Sequence, residues 1–283
     1  MTQQGTQRAA VTPVPKPGPV DASLPEPGAF DGHTHMDVMG LPVDGVLADA
    51  HAAGIHRVVN AGCDLPSSRW GVACAEEYPS AYAAVAIHPN STTEVDGMRA
   101  EVLAELARLA ASSRVVAIGE TGLDYYWKDA PPEVQQWWFR AHIALAKEAG
   151  KALMIHDREA HADVLSILAE AGPWPPDSVI FHCFSGDAEM AARCAEAGYI
   201  MSFAGNVTFK NAASLQQAAV AAPASLILCE TDAPYMTPVP HRGKPNSPAM
   251  TAHTVRFIAG LKGMPVADFC AQLQATGSRV FHW

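Results

Sequence analysis

Six side chains able to hold a metal ion are spread along this sequence from position 33 to position 232: His33, His35, Glu120, His156, His182 and Asp232. Each follows a short apolar run with the character of a β-strand, such as Val115-Val116-Ala117-Ile118-Gly119 before Glu120 and Val179-Ile180-Phe181 before His182. Imidazole nitrogens and carboxylates together hold divalent cations, and a held cation activates water for hydrolysis. In Asp31-Gly32-His33-Thr34-His35 the two imidazoles stand two residues apart, so an extended backbone projects both to one side. Glu120 leaves a run too apolar to be a solvated edge and would be costly to bury unless paired. His156, after Leu153-Met154-Ile155, repeats the placement of His182 one strand later. Asp232 closes the last apolar run, where a carboxylate can bind a metal and accept a proton from its water. The alternatives are hydrogen-bonded core histidines, a Glu120 salt-bridged to Arg158, and an Asp232 that caps the turn before Pro234. Four histidines and two carboxylates exceed the three protein ligands of a catalytic zinc. Two cations are therefore expected, about 4 Å apart, an arrangement suited to in-line displacement at phosphorus.

Donors so far apart in sequence meet only if a fold gathers them. Apolar runs at 29–32, 56–61, 83–87, 115–119, 152–155, 179–181, 199–203 and 226–229 read as strands. Between them lie helical patterns such as 98–111, 133–149, 159–171 and 211–222, and glycines 54, 150, 172 and 198 stand where helices should stop. Two further helices, about 249–262 and 266–281, close the chain. Eight strand-helix alternations predict a single α/β domain, a (β/α)8 barrel whose strand C-termini share one mouth. An open doubly wound sheet is the alternative. Residues 1–28 carry Pro13, Pro15, Pro17, Pro19, Pro25 and Pro27; they are expected to form an extended or disordered arm outside a barrel of residues 29–283.

The formal charge of −10 argues against a general nucleic-acid coating role, so a polyanionic substrate would have to meet a local cluster of cations. Cys63, Cys74, Cys183, Cys194, Cys229 and Cys270 lack CxxC spacing and read mostly as core thiols of a reducing compartment. No stretch has the length of a membrane span and the start of the chain lacks a signal-peptide apolar region, so a cytoplasmic protein without membrane contact is expected. No obligate protein partner is evident.

With those residues in view, the chain resembles the TatD family of metal-dependent deoxyribonucleases, in its YcfH-like branch, among the amidohydrolase-type barrels. The resemblance covers about residues 29–283. It rests on Asp31-Gly32-His33-Thr34-His35, Ile87-His88-Pro89, Gly119-Glu120-Thr121-Gly122-Leu123-Asp124-Tyr125-Tyr126, His182-Cys183-Phe184-Ser185-Gly186, Glu230-Thr231-Asp232-Ala233-Pro234-Tyr235 and Pro240-His241-Arg242-Gly243-Lys244. It implies that His33, His35 and Asp232 hold one ion and His156 and His182 a second, with Glu120 bridging and Asp232 orienting or deprotonating the attacking water. The implied ions are Mg²⁺, Mn²⁺ or Zn²⁺, and the implied activity is phosphodiester hydrolysis, often 3′ to 5′ on single-stranded DNA. Two departures stand out: His156-Asp157-Arg158-Glu159-Ala160, where the family usually has Thr after the His and Asp before the Ala, and Thr276, where Asn is usual.

A nucleic acid substrate, DNA or RNA, would need cations from the rim loops: Lys128, Arg158, Lys210, Arg242 and Lys244. Arg158 offers a bidentate fork to phosphate, or else partners Glu120 or Glu159. His88 is expected to bind phosphate or cap a turn. Tyr125, Tyr126 and Trp127 form an aromatic loop able to stack on an unpaired base or to pack beneath a loop. Two other readings stay open: the same centre hydrolysing an ester, lactone or amide, including an aminoacyl-tRNA ester, and a binding protein with a degenerate metal site.

Overall fold

A parallel strand covered by the barrel interior on one face and by helices on the other must be apolar along its whole length. Most of the eight runs provide this, although 29–32 carries Asp31 and 56–61 carries His56, Arg57 and Asn60. The structure, a computed structural model, describes residues 23–283. Its strands are Ala29–Thr34 (β1), Ile55–Ala61 (β2), Ala81–Val85 (β3), Val115–Asp124 (β4), Ala152–Arg158 (β5), Val179–Phe181 (β6), Ile200–Phe203 (β7) and Ile227–Cys229 (β8). They pair in sequence order, each parallel to the next. Every residue of β1 and of β4 is buried. With helices between the strands, this is the (β/α)8 barrel expected.

The first and last strands meet at a seam next to the candidate ligands. The His35 N–H donates to the Ala233 carbonyl at 2.8 Å and the Asp232 N–H to the His33 carbonyl at 2.9 Å. Beneath them, Asp31 Oδ1 accepts the Thr231 N–H at 2.8 Å while Oδ2 accepts the Thr231 hydroxyl. Burial pushes the Asp31 carboxyl well above the usual carboxylate range, although the Thr231 bonds pull the other way.

Two strands run past their apolar segments. β4 ends at Asp124 rather than at 119, and β5 at Arg158 rather than at 155. The two extensions pair with each other beyond the rim, in the registers Gly122↔His156, Leu123↔Asp157 and Asp124↔Arg158. Hydrophobicity marks where a strand is covered and not where its pairing stops, so these ends carry polar residues. Gly122 makes the pairing feasible: its φ is +140°, and a Cβ there would run into the His156 carbonyl.

Helices fill the expected intervals, among them Arg99–Ala110, Pro132–Ala149, Ala213–Ala221, Thr251–Leu261 and Val266–Phe281. Gly150, at φ +61°, terminates the second of these in the left-handed region. The helix expected from 159 begins at His161 instead, because Glu159 adopts a left-handed φ of 56°.

Part of the segment assigned to a disordered arm packs on the barrel. Leu24 is buried, its N–H donates to the Ala53 carbonyl at 2.9 Å, and Arg256 Nη2 donates to the Ser23 carbonyl at 2.6 Å. The rest of that expected arm, residues 1–22, lies outside the described residues. Among the described residues no helix is long and apolar enough to cross a membrane.

Candidate metal centre

Five strands deliver donors to one mouth. His33 and His35 come from β1 and its end, Glu120 from β4, His156 from β5, His182 from just past β6 and Asp232 from the turn after β8. Asp232 sits at φ 53°, a left-handed conformation that Asp tolerates better than most residues. At one end of the cluster, His33 Nε2 and His35 Nε2 face each other at 3.1 Å, with Asp232 Oδ1 at 3.7 Å and 3.4 Å from them. At the other, His156 Nδ1 and His182 Nε2 lie 2.7 Å and 3.1 Å from Glu120 Oε1. The second oxygen of the same carboxylate, Oε2, stands 3.3 Å from His33 Nε2 and 3.6 Å from His35 Nε2. The structure thus brings all six expected donors together, with Glu120 touching both groups. His182 also stacks on His33, ring centroids 3.7 Å apart, so the two groups adjoin.

Proton inventory shows what these atoms lack. His35 Nδ1 is 3.0 Å from the Ala61 carbonyl, an acceptor only, so that nitrogen carries the hydrogen and Nε2 presents a lone pair in the neutral ring. His182 Nδ1 faces Glu230 Oε1 at 2.9 Å and His156 Nε2 faces Asp124 Oδ2 at 3.1 Å, with the same result for the nitrogens that point at Glu120. Lone pairs aimed at a carboxylate repel unless a proton or a metal cation is taken up between them. The titration behaviour of the bare side chains expresses the same demand. Burial alone would raise the Glu120 carboxyl, yet His182, His88 and His156 hold it well below the usual carboxylate range. Burial also favours neutral imidazoles, but Asp124 and Glu120 push His156 up to about 9, and Glu120 and Glu230 push His182 well above its ordinary value. His33 goes the other way, lowered by burial. Buried nitrogen lone pairs, those of His35, His156 and His182 steadied from behind by an acceptor, together with ionised carboxylates fit divalent cations.

Five of the six donors, all but the fully buried His33, open onto a cavity of about 640 Å³ whose lining also includes Cys63, Cys183 and Asn206. His88 lies inside it, Nε2 at 3.4 Å from Glu120 Oε1. The Asn90 N–H donates to His88 Nδ1 at 3.1 Å, so Nε2 holds the hydrogen and His88 is a donor rather than a ligand in this form. Arg158 also lines the cavity, with its guanidinium 4.0 Å from the centre of the Tyr126 ring and 5.7 Å from that of Trp127. These rings are 47% and 51% exposed, and Tyr235 farther round the mouth is 59% exposed. Arg242 and Lys244, expected at the mouth, do not line the cavity. Their segment folds on itself, with Thr237 Oγ1 donating to the Lys244 carbonyl at 2.8 Å, and Arg242 packs 4.2 Å above the Phe209 ring.

Sequence reasoning assigned no role to Asp124 or Glu230, which orient His156 and His182, although both stand in motifs already noted. Alternation along β4 was the available signal, since Glu120, Gly122 and Asp124 share a side of the strand. Four of the six cysteines are buried, as expected of core thiols, whereas Cys63 and Cys183 are half-buried and face the cavity.

A (β/α)8 barrel with a cation-demanding cluster of imidazoles and carboxylates at its C-terminal mouth has the architecture of a metal-dependent hydrolase. A family model described as TatD related DNase matches residues 30–282, and the chain belongs to that family. An uncharacterized metal-dependent hydrolase of Mycobacterium tuberculosis, TatD, is 47% identical over 82% of this chain and 89% of its own length. An uncharacterized metal-dependent hydrolase of Escherichia coli K12, YcfH, is 37% identical over 89% of this chain and 95% of its own. The crystal structure of YJJV, a TatD homologue from Escherichia coli, superposes with a TM-score of 0.83 at 26% identity, covering 90% of this chain and 98% of that one.

Proposed function

We propose that the protein is a cytoplasmic deoxyribonuclease that hydrolyses phosphodiester bonds of single-stranded DNA with two divalent cations. His33, His35 and Asp232 would hold one, His156 and His182 the other, and Glu120 would bridge. The observation that carries this reading is the division of one carboxylate: Glu120 gives Oε1 to His156 and His182 and Oε2 to His33 and His35. Bound there, a cation pair supplies a water of lowered pKa and charge stabilisation on both sides of the phosphorus.

The chain's own groups supply the rest. The Asp232 carboxylate is held below its ordinary range, burial notwithstanding, by His35, His182 and His33, so it is ionised and able to accept the proton of the attacking water. His88 offers its Nε2–H to a non-bridging phosphoryl oxygen. Arg158 meets an adjoining phosphate, and the exposed Tyr126 and Trp127 rings beside it offer stacking to an unpaired base. This local equipment answers the −10 charge of the whole chain. Six free cysteines fit a reducing compartment.

The deciding assay is metal-titrated cleavage of an end-labelled single-stranded oligonucleotide, with an ester and a lactone in parallel. His33→Ala and Asp232→Asn should each reduce oligonucleotide cleavage to background while circular dichroism stays unchanged. Full activity in both variants refutes the proposal, and turnover of the ester or lactone without oligonucleotide cleavage transfers the centre to acyl chemistry.

A further inference from the structure

Cys63 follows the end of β2, and its backbone is pinned by the start of the next helix. Its N–H donates to Ser67 Oγ at 2.9 Å, and Asp64 caps helix Leu65–Glu77 by accepting the Ser67 N–H at 2.8 Å. So held, the thiol sulfur stands 3.9 Å from Glu120 Oε2 and 3.9 Å from His35 Nδ1. His35 Nδ1 is the nitrogen bonded to Ala61, so the contact places Cys63 beside the ring whose Nε2 faces the other donors, and one nitrogen, sulfur or oxygen atom from each of His35, Cys63 and Glu120 lies within 4.8 Å of the others. Sulfur and oxygen bound to one five-coordinate ion, at metal distances of about 2.3 Å and 2.0 Å, stand about 3.0 to 3.7 Å apart, against 3.9 Å between Cys63 Sγ and Glu120 Oε2. Cys183, the other cysteine on the cavity, differs: its sulfur accepts from Asn206 Nδ2 at 3.8 Å.

We propose that Cys63 is a sulfur ligand to the ion held by His35 and Glu120, and that it biases this centre toward zinc over manganese and magnesium. The inference rests on the metal-centre reading above. Thiolate is a soft donor that favours zinc, whereas imidazole and carboxylate alone discriminate less. On binding, the S–H bond breaks, its proton leaves to bulk water, and the sulfur lone pair bonds the ion. No other substrate or oxidant takes part.

The test needs no turnover. The full chain, stripped by chelator and titrated with cobalt(II), should show visible d–d bands of bound cobalt and a near-ultraviolet sulfur-to-cobalt charge-transfer band. Cys63→Ser and Cys63→Ala should keep the visible bands and lose the near-ultraviolet one, and Cys183→Ser should keep both. In zinc against manganese competition, the preference for zinc should fall roughly tenfold in Cys63→Ser. Visible bands without charge transfer in the unaltered chain overturn the sulfur ligand and leave the metal centre standing, as does a charge-transfer band that survives both Cys63 variants. No visible bands in the unaltered chain overturn both.

Discussion

Asp124 holds His156 with one carboxylate oxygen, Oδ2 to Nε2 at 3.1 Å, while its other oxygen accepts the Tyr126 and Trp127 N–H groups at 3.0 Å each. The proposed ligand and the aromatic lip are therefore positioned by the same side chain. Asp124→Asn keeps the size and removes the charge that orients the imidazole. Divalent-ion affinity, measured by titration calorimetry, should fall about 10- to 100-fold.

Chelation should lower the melting temperature, because ions that bind only the folded chain stabilise it by mass action, about 2.7 kcal/mol at a hundred times Kd. Adding zinc or manganese back should restore it in proportion to the logarithm of concentration. A melting temperature indifferent to every divalent ion contradicts the centre.

His142 sets an acid limit on stability away from the donors. It is buried, with Nε2 accepting the Ile87 N–H at 3.2 Å and Nδ1 donating to the Trp138 carbonyl at 2.7 Å, so the fold requires the neutral ring. Burial lowers its pKa from 6.5 to about 4. The unfolded chain therefore takes up the proton first as pH falls. The stabilisation is complete above about 6.5 and is lost between there and about 4, amounting to about 3 kcal/mol. Urea unfolding across that range should show the loss in the unaltered chain and less of it in His142→Gln.

Arg158→Ala should raise KM for an oligonucleotide about three- to tenfold and change kcat little, since the guanidinium lies at the mouth and not at the donors. Arg158→Lys restores the charge without the planar stack on Tyr126 and should recover only part of the loss. Steady-state kinetics on oligonucleotides of graded length provides the check.

Gly122→Ala should be strongly destabilising. It would press on the His156 carbonyl and force β4 and β5 apart, costing about 3 kcal/mol or more in thermal unfolding and weakening ion binding together with it.

The barrel was legible in the sequence because most strand positions are covered on both faces and so read as short, largely apolar runs. The meeting of His33, His35, Glu120, His156, His182 and Asp232 was legible too, because each stands at the end of such a run. Asp124 escaped because β4 was expected to stop at 119, before the alternation that carries its carboxylate to the same side as Glu120. Glu230 escaped for a different reason: it reaches His182 across β7, where Ser202 also donates to it, and no local pattern encodes that contact. Arg242 has a suitable type and loop, but its place depends on the packing of that loop over Phe209, which composition does not dictate.

The bonds that join the first strand to the last, His35 to Ala233 and Asp232 to His33, lie among the donors themselves. A growing polypeptide emerging from the ribosome with its first seven strands already paired would still lack Asp232 and the neighbours that fix the two leading imidazoles. Competence to bind its full complement of ions then arrives late in synthesis, when the circle of strands is joined, and a C-terminally shortened product would be inert rather than partly active.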